Sequence, residues 1–431
     1  MINLYIVLAI LAAIALGYVT KINTGFFAIV FAYFIGCFVL KLRPGEIVAM
    51  WPMSVFFVIL AVSLFYNFAL VNGTLEKLSM HILYLCKRIP YLLPFVIYLA
   101  AALIAALGAG FFAVMAFSAP LALMLCEETK TNKLVGAVAV NCGALSGANF
   151  MTSGSGIIFR GLMDNAGFAQ ESFQWSSIIF IASVVFSLMF ITVFILGSRS
   201  FKQVIRIDDM KKPEKFDHLQ KINLALMFVT IILVLFPPIL RIAVPKNSII
   251  AFINSKIDVG LIAITMSAIA MLLKLAPQKQ VIAKVPWETL IMICGVGVLI
   301  AVAIKAGTIN TLSGWVSNNI PVLLVPIGFS IIAAFMSFFS STLGVVCPAL
   351  FPVVPSIAAA TGIPPMMLFT CIVIGAQSSA ISPFSSGGSL VLGSCANEED
   401  RAAFFPKLLF IAVPSSVMFA VLYCFLFSRF F

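Results

Sequence analysis

The stretch at 143–156, GALSGANFMTSGSG, decides the fold together with its echo at 375–388, GAQSSAISPFSSGG. Each lies inside an apolar segment long enough to cross a bilayer, yet is filled with Gly, Ser, Thr, Asn or Pro. Those residues end helices. Free backbone N–H and C=O groups at membrane depth have no water to bond, so irregular chain there is tolerated only where protein buries it or it lines a polar cavity. Two such breaks in corresponding places of two chain halves point to the binding site of a secondary transporter.

The composition agrees. The chain has 431 residues, 62% hydrophobic and 10% charged, with mean hydropathy +1.16. A soluble protein carries about 25% charged residues, so this is an all-α polytopic membrane protein. The net charge of +11 sits in loops between apolar segments, as cytoplasmic loops require, and is no nucleic-acid signal. The nine cysteines are scattered singly without a CxxC pair and read as small core hydrophobes. Segment 2–19 lacks a basic n-region and a cleavage site and is expected to be a retained helix.

Spans of roughly 17–25 apolar residues are expected near 2–19, 24–41, 53–71, 133–167, 176–197, 222–242, 257–275, 287–305, 364–395 and 408–429. The broken ones are 133–167 and 364–395. Between 92 and 125, two apolar arms of about 15 residues flank Gly108, Ala109 and Gly110. Each makes ~23 Å of helix, short of a ~30 Å hydrocarbon core. A re-entrant hairpin with its tip at 108–110 is expected, and another at 320–361 with its tip at Ser340, Ser341 and Thr342. The charged stretch 72–90 reads as an interfacial amphipathic helix.

The halves repeat. GTLEKLS at 73–79 recurs as GTINTLS at 307–313, an offset of 234, and Ala49 and Pro52 fall on Ala283 and Pro286. At an offset of 232, Pro120 falls on Pro352, and Gly143, Ala144, Ser146, Ala148, Ser153 and Gly156 fall on matching residues. The expected repeats are 1–198 and 222–431, joined by a basic cytoplasmic linker at 199–221. Five crossings plus one hairpin per half is an odd number, so the second half is inverted. Alternating the loops puts 18 Lys and Arg on one side and 7 on the other. The richer side is cytoplasmic, which leaves both termini outside.

A helix interrupted at depth exposes N–H groups at the start of its second half, and these bind anions without a formal cation. Ser153, Gly154 and Ser155 form one such start, Ser385, Ser386 and Gly387 the other. Substrate contacts are expected there, from Asn149 and Thr152 in the first break, and from Ser341 and Thr342 at the second tip. The ends of the first half-helices present carbonyls that suit sodium. Ser146, Ser378, Ser379 and Ser382 stand there, with Gly108, Gly110 and Ser340 closing the two sites from the tips. Arg160 is a lone cation inside a broken segment, set to pair with substrate, with Asp164, or with the interface. No Asp, Glu or His sits at mid-depth like a proton carrier, which favours sodium coupling or exchange. An intramembrane enzyme would need a nucleophile–base pair or metal ligands at depth, and none is placed there. No cofactor is expected beyond Na+.

GYVTKINTGFFAIVFAYFIG near the start and GANFMTSGSGIIFRGLM at the first break resemble MatC-type dicarboxylate (malonate) carriers, within the divalent-anion/sodium symporter group of the ion-transporter superfamily. The resemblance runs over essentially the whole chain. It implies transport of a small dicarboxylate such as malonate or succinate across a bacterial inner membrane, by an elevator motion of a homodimer. It also implies Ser-Asn-Thr tips that hold carboxylate and enclose sodium. The second tip matches in part. The first, with Gly108, Ala109 and Gly110, has no side-chain oxygen, and Asn149 and Thr152 are the nearest substitutes. Other anions (citrate, gluconate, an oxyanion), proton coupling, exchange and a channel are the competing readings.

Overall fold

The computed structural model describes residues 2–20, 22–85, 92–198, 213–244, 247–395 and 398–429. Among these every regular element is helical. Each expected span is found, as Ile2–Thr20, Thr24–Tyr33 continuing through Phe34–Val39, Met53–Val71, Ser172–Ser198, His218–Ala243, Val259–Leu272, Trp287–Lys305 and Val413–Phe427, plus the two broken helices. Eight described helices are long and apolar enough to cross a membrane. Large apolar side chains lie open around the outside, among them Leu272, Phe335 and Phe410 at 71–82% exposure. Together with those helices, such a surface suits lipid. This is a multi-pass membrane protein.

Equivalent helices of the two halves are exchanged. Thr24–Tyr33 packs on Trp287–Lys305, while Met53–Val71 packs on Val259–Leu272; adding 234 to the first member of each pair gives the second member of the other. Close crossing here depends on small residues. A Cβ on Gly25 would lie 2.4 Å from the Ile291 carbonyl oxygen, and one on Gly295 2.3 Å from that of Gly25. The charged stretch after Asn72 forms the helix Thr74–Leu85, and its counterpart is Thr308–Asn319. Both follow a glycine held at positive φ, Gly73 at 73° and Gly307 at 75°, a turn that other L-residues resist. Residues 86–91 and most of the basic linker, 199–212, lie outside the described residues.

The hairpins depart from expectation in one respect. Their arms are uneven, from 12 residues in Leu93–Ile104 and 15 in Val325–Phe339 to 19 in Gly110–Glu128, where about 15 each is expected from the sequence. The first runs over Leu93–Ile104, through a wide turn Ala105–Ala109, and back as Gly110–Glu128. The second runs over Val325–Phe339 and back through Thr342–Val346, Cys347–Leu350, Phe351–Val353 and Val354–Thr361. Three of the four arms have the length and apolarity of a span, so short arms do not identify these hairpins. Their tips do, by meeting the breaks. The return arm of the second is fragmented because Pro348, Pro352 and Pro355 remove backbone donors in turn. Four short helices had no expectation: Pro44–Ala49, Gln278–Ala283, Ser248–Lys256 and Glu398–Lys407.

Candidate functional site

The first broken helix is Lys133–Ala148, then a loop, then Gly154–Asn165; the second is Pro365–Ser378, a loop, then Ser386–Gly393. Both second halves begin where the sequence placed them. Ser153 (φ −94°, ψ 170°) and Ser385 (φ −101°, ψ 171°) stand at the two N-caps in nearly identical extended conformations. Each first half is seated against a hairpin arm with no room for a side chain. A Cβ on Gly143 would come within 2.3 Å of the Tyr98 carbonyl oxygen, and one on Gly375 within 2.2 Å of that of Ser330. Tyr98 and Ser330 are themselves 232 apart.

Beside the two second half-helices, and against Met53–Val71, lies a cavity of about 590 Å³, within the range of small-ligand pockets, roughly 300–1,000 Å³. It is floored by Gly154 and Ser155 from the first break and Ser386 from the second, and walled by Gly108, Gly110 and Phe111 of the first hairpin. It adjoins a narrow pocket that shares Ser155 and Ser386 and adds Ser340, Ser341, Thr342, Ser385 and Gly387. One space is thus reached from both helix starts and both hairpin tips. The first N–H groups of a helix have no intrahelical partner, so both starts offer donors and partial positive charge to this space.

The expected residues divide into those that line this space and those that build it. Gly108, Gly110, Gly154, Ser155, Ser340, Ser341, Thr342, Ser385, Ser386 and Gly387 line it. Gly108 has φ 96°, and a Cβ there would strike the ring of Tyr66 at 2.3 Å. Thr342 Oγ1 is 2.9 Å from Ser337 Oγ. The Ser341 side chain accepts from the Gly344 N–H, capping the return arm.

Ser153 is buried and donates to the Ala105 carbonyl at 2.5 Å, tying the first break to the first tip. Asn149 is fully buried. Its amide donates to Gln377 Oε1 (3.1 Å) and Ser183 Oγ (2.8 Å) and accepts from Gln377 Nε2 (2.8 Å). That reciprocal amide pair clamps one broken helix to the other and turns Asn149 away from both cavities. Thr152 is buried too and lines neither. Of the expected sodium ligands, Ser146 lies 3.0 Å from the Tyr98 hydroxyl and 3.3 Å from the Gly143 carbonyl, Ser378 and Ser379 donate to the carbonyls of Gly375 and Ala334, and Ser382 Oγ accepts from the Phe384 N–H. Each donating hydroxyl keeps its oxygen lone pairs.

Arg160 stands elsewhere. Its guanidinium lies 5.3 Å from the centre of the Phe173 ring and faces the charges of Asp164 and Asp258. It borders neither cavity. Seven residues past Ser153 is about two turns, ~10 Å along the helix, and that carries it beyond the break. Asp164 and Asp258 are near enough to act on its charge, but neither makes an ion pair with it among the described residues, and its buried Nε has no hydrogen-bond partner. Residues missed at the sequence level include Ser337, Gln377, Asn67 and Lys284 on the cavity walls. Asn67 was legible as the one amide in the apolar helix Met53–Val71.

Residues 1–148 match the family model described as the dicarboxylate carrier protein MatC N-terminus. The resemblance read from the start of the sequence falls within that match, while most of the first break lies beyond it. Among solved structures the chain is similar to the YdaH transporter of Alcanivorax borkumensis, with 16% identity, a TM-score of 0.59, and 92% of this chain and 88% of that chain covered. It is also similar to MtrF of Neisseria gonorrhoeae, described as illuminating a class of antimetabolite efflux pumps, with 15% identity, a TM-score of 0.50, and 92% and 83% covered. No curated protein matches it. The fold is that of these two membrane transporters, and the first third of the chain matches a carrier family.

Proposed function

We propose that this protein is a secondary active carrier of a small dicarboxylate, such as malonate or succinate, coupled to sodium. The observation that carries the reading is the cavity where both half-helix starts and both hairpin tips converge. A dicarboxylate has two anionic ends, and the site has two helix starts. Ser155 with the N–H groups of one start receives one carboxylate, and Ser386 with Gly387 at the other receives the second. The match over residues 1–148 supports the same substrate class.

Sodium is assigned to the facing ends of the first half-helices, where carbonyls carry partial negative charge. The lone pairs of Ser146 serve one site and those of Ser378 and Ser379 the other. A cation there neutralises part of the dianion's charge, so ion and substrate favour each other's binding, the reciprocity that coupled transport requires. The carrier is placed in a bacterial inner membrane as a homodimer with both termini outside. In an elevator cycle the broken helices and hairpins move as one body against the exchanged helices, which stay fixed in lipid.

The test is uptake of radiolabelled malonate and succinate into proteoliposomes by the unaltered protein and by Ser155→Leu and Ser386→Leu. Uptake is expected from the unaltered protein and from neither variant, with melting temperatures in detergent unchanged. Full uptake by both variants would remove the substrate from this cavity.

A further inference from the structure

Lys284 stands on the wall of the 590 Å³ cavity, and it is the one charged residue among the described residues that line it. Gly110, Ala113 and Ala116 trace this wall along more than a turn of the hairpin arm. Among the described residues, no carboxylate lies within ion-pair distance of Lys284. An exposed lysine with no ion pair among the described residues thus borders the space assigned to an anion.

Its position is built, not incidental. Lys284 is the C-cap of the short helix Gln278–Ala283. Asn67, itself on the cavity wall, donates to the Val281 carbonyl at 3.1 Å and holds that helix against Met53–Val71. The chain then turns at Pro286, which caps the next helix with φ −78° and ψ 66°. The same corner occurs 234 positions earlier. Helix Pro44–Ala49 ends at Met50, and Pro52 caps the next helix with φ −75° and ψ 71°. A lysine at a helix end is often explained by the helix dipole. Here the equivalent corner folds with a methionine, so the corner itself requires no cation.

We propose that Lys284 is a specificity-determining residue of the carrier. It draws doubly charged substrates into the open mouth of the cavity and sets their preference over singly charged ones. The inference rests on the dicarboxylate reading given above. The absence of a cation at Met50 makes the effect one-sided, so the two faces of the carrier differ in apparent affinity for a dianion.

The experiment measures exchange of labelled succinate across proteoliposomes by the unaltered protein, Lys284→Met, Lys284→Arg and Lys284→Glu. Competition by unlabelled succinate and by its monomethyl ester is measured alongside. Lys284→Met is expected to raise KM for succinate roughly fivefold, the scale of a partly screened charge pair, with kcat largely kept. The dianion-over-monoanion preference should fall by a similar factor. Lys284→Glu should do more, and Lys284→Arg should restore most of both. Unchanged KM and preference in Lys284→Met and Lys284→Glu, with exchange by the unaltered protein intact, would overturn the inference alone. No exchange of any dicarboxylate by the unaltered protein would overturn the dicarboxylate reading and this inference with it. Melting temperatures matching the unaltered protein separate either result from misfolding.

Discussion

Gly156 and Gly388 hold the two breaks closed, and replacing either by alanine separates close packing from mere helix preference. A Cβ on Gly156 would lie 2.1 Å from the Phe150 carbonyl oxygen, and one on Gly388 2.1 Å from that of Ser382. Ordinary contact begins near 3.4 Å, so each break loop must move by roughly 1.3 Å, and the obstructing atom is backbone that no rotamer change relieves. Overpacking of this kind costs about 1–3 kcal/mol. Gly154, two residues earlier, and Gly393 have nothing within 4 Å of an added Cβ. Alanine at Gly393, inside the helix, should be neutral or stabilise by up to ~1 kcal/mol, since glycine is a poor helix former. The assay is thermal melting of purified protein in one detergent, with sodium and succinate absent. Gly156→Ala and Gly388→Ala should melt clearly below the unaltered protein, and Gly154→Ala and Gly393→Ala at or above it. Equal melting of all four would refute the idea that the breaks are packed against their own carbonyls.

The Asn149–Gln377 clamp makes a second case. Asn149→Leu leaves the Gln377 amide buried without a partner, and Gln377→Leu leaves Asn149 only its bond to Ser183, each at a cost of about 1–3 kcal/mol. The double variant should melt above at least one single variant, and strictly additive losses would argue against the pair. Ser153→Ala should lower stability by about 1 kcal/mol through loss of its bond to the Ala105 carbonyl, while retaining measurable uptake; unchanged melting would mean that the bond is not formed. Arg160→Ala should leave KM for succinate unchanged, because the guanidinium lies over Phe173 and outside both cavities. A several-fold rise in KM would return Arg160 to the substrate.

The parts of this fold legible in the sequence are those where lipid leaves the chain few alternatives. A span needs a long apolar run, and a helix interrupted within one needs residues such as Ser153, Gly154, Ser385 and Ser386, so the second halves of both broken helices begin where those residues stand. The repeat was legible at Gly73 and Gly307 because one turn demands glycine in both halves. The short helix Gln278–Ala283 gave no such signal, since six mixed residues carry no apolar period, and with it Lys284 passed unnoticed. Hydroxyl direction was also beyond the sequence. Ser378 and Ser386 are alike by type, yet one donates to a carbonyl of its own helix and the other lines the cavity. Which of these a serine does is set by the neighbour packed against it. Arg160 was visible as an intramembrane charge, but the ring it lies over, Phe173, stands on the helix that follows, and one of the carboxylates acting on it, Asp258, is nearly a hundred residues away.

The most direct measurement is uptake of labelled succinate and malonate into proteoliposomes at fixed pH, with and without an inward sodium gradient. The account predicts sodium-dependent accumulation above the equilibrium level, lost when the gradient is dissipated by a sodium ionophore. Uptake indifferent to sodium, or driven only by a pH step or by counter-substrate, would contradict the coupling. Failure to move either dicarboxylate would contradict the reading of the cavity itself.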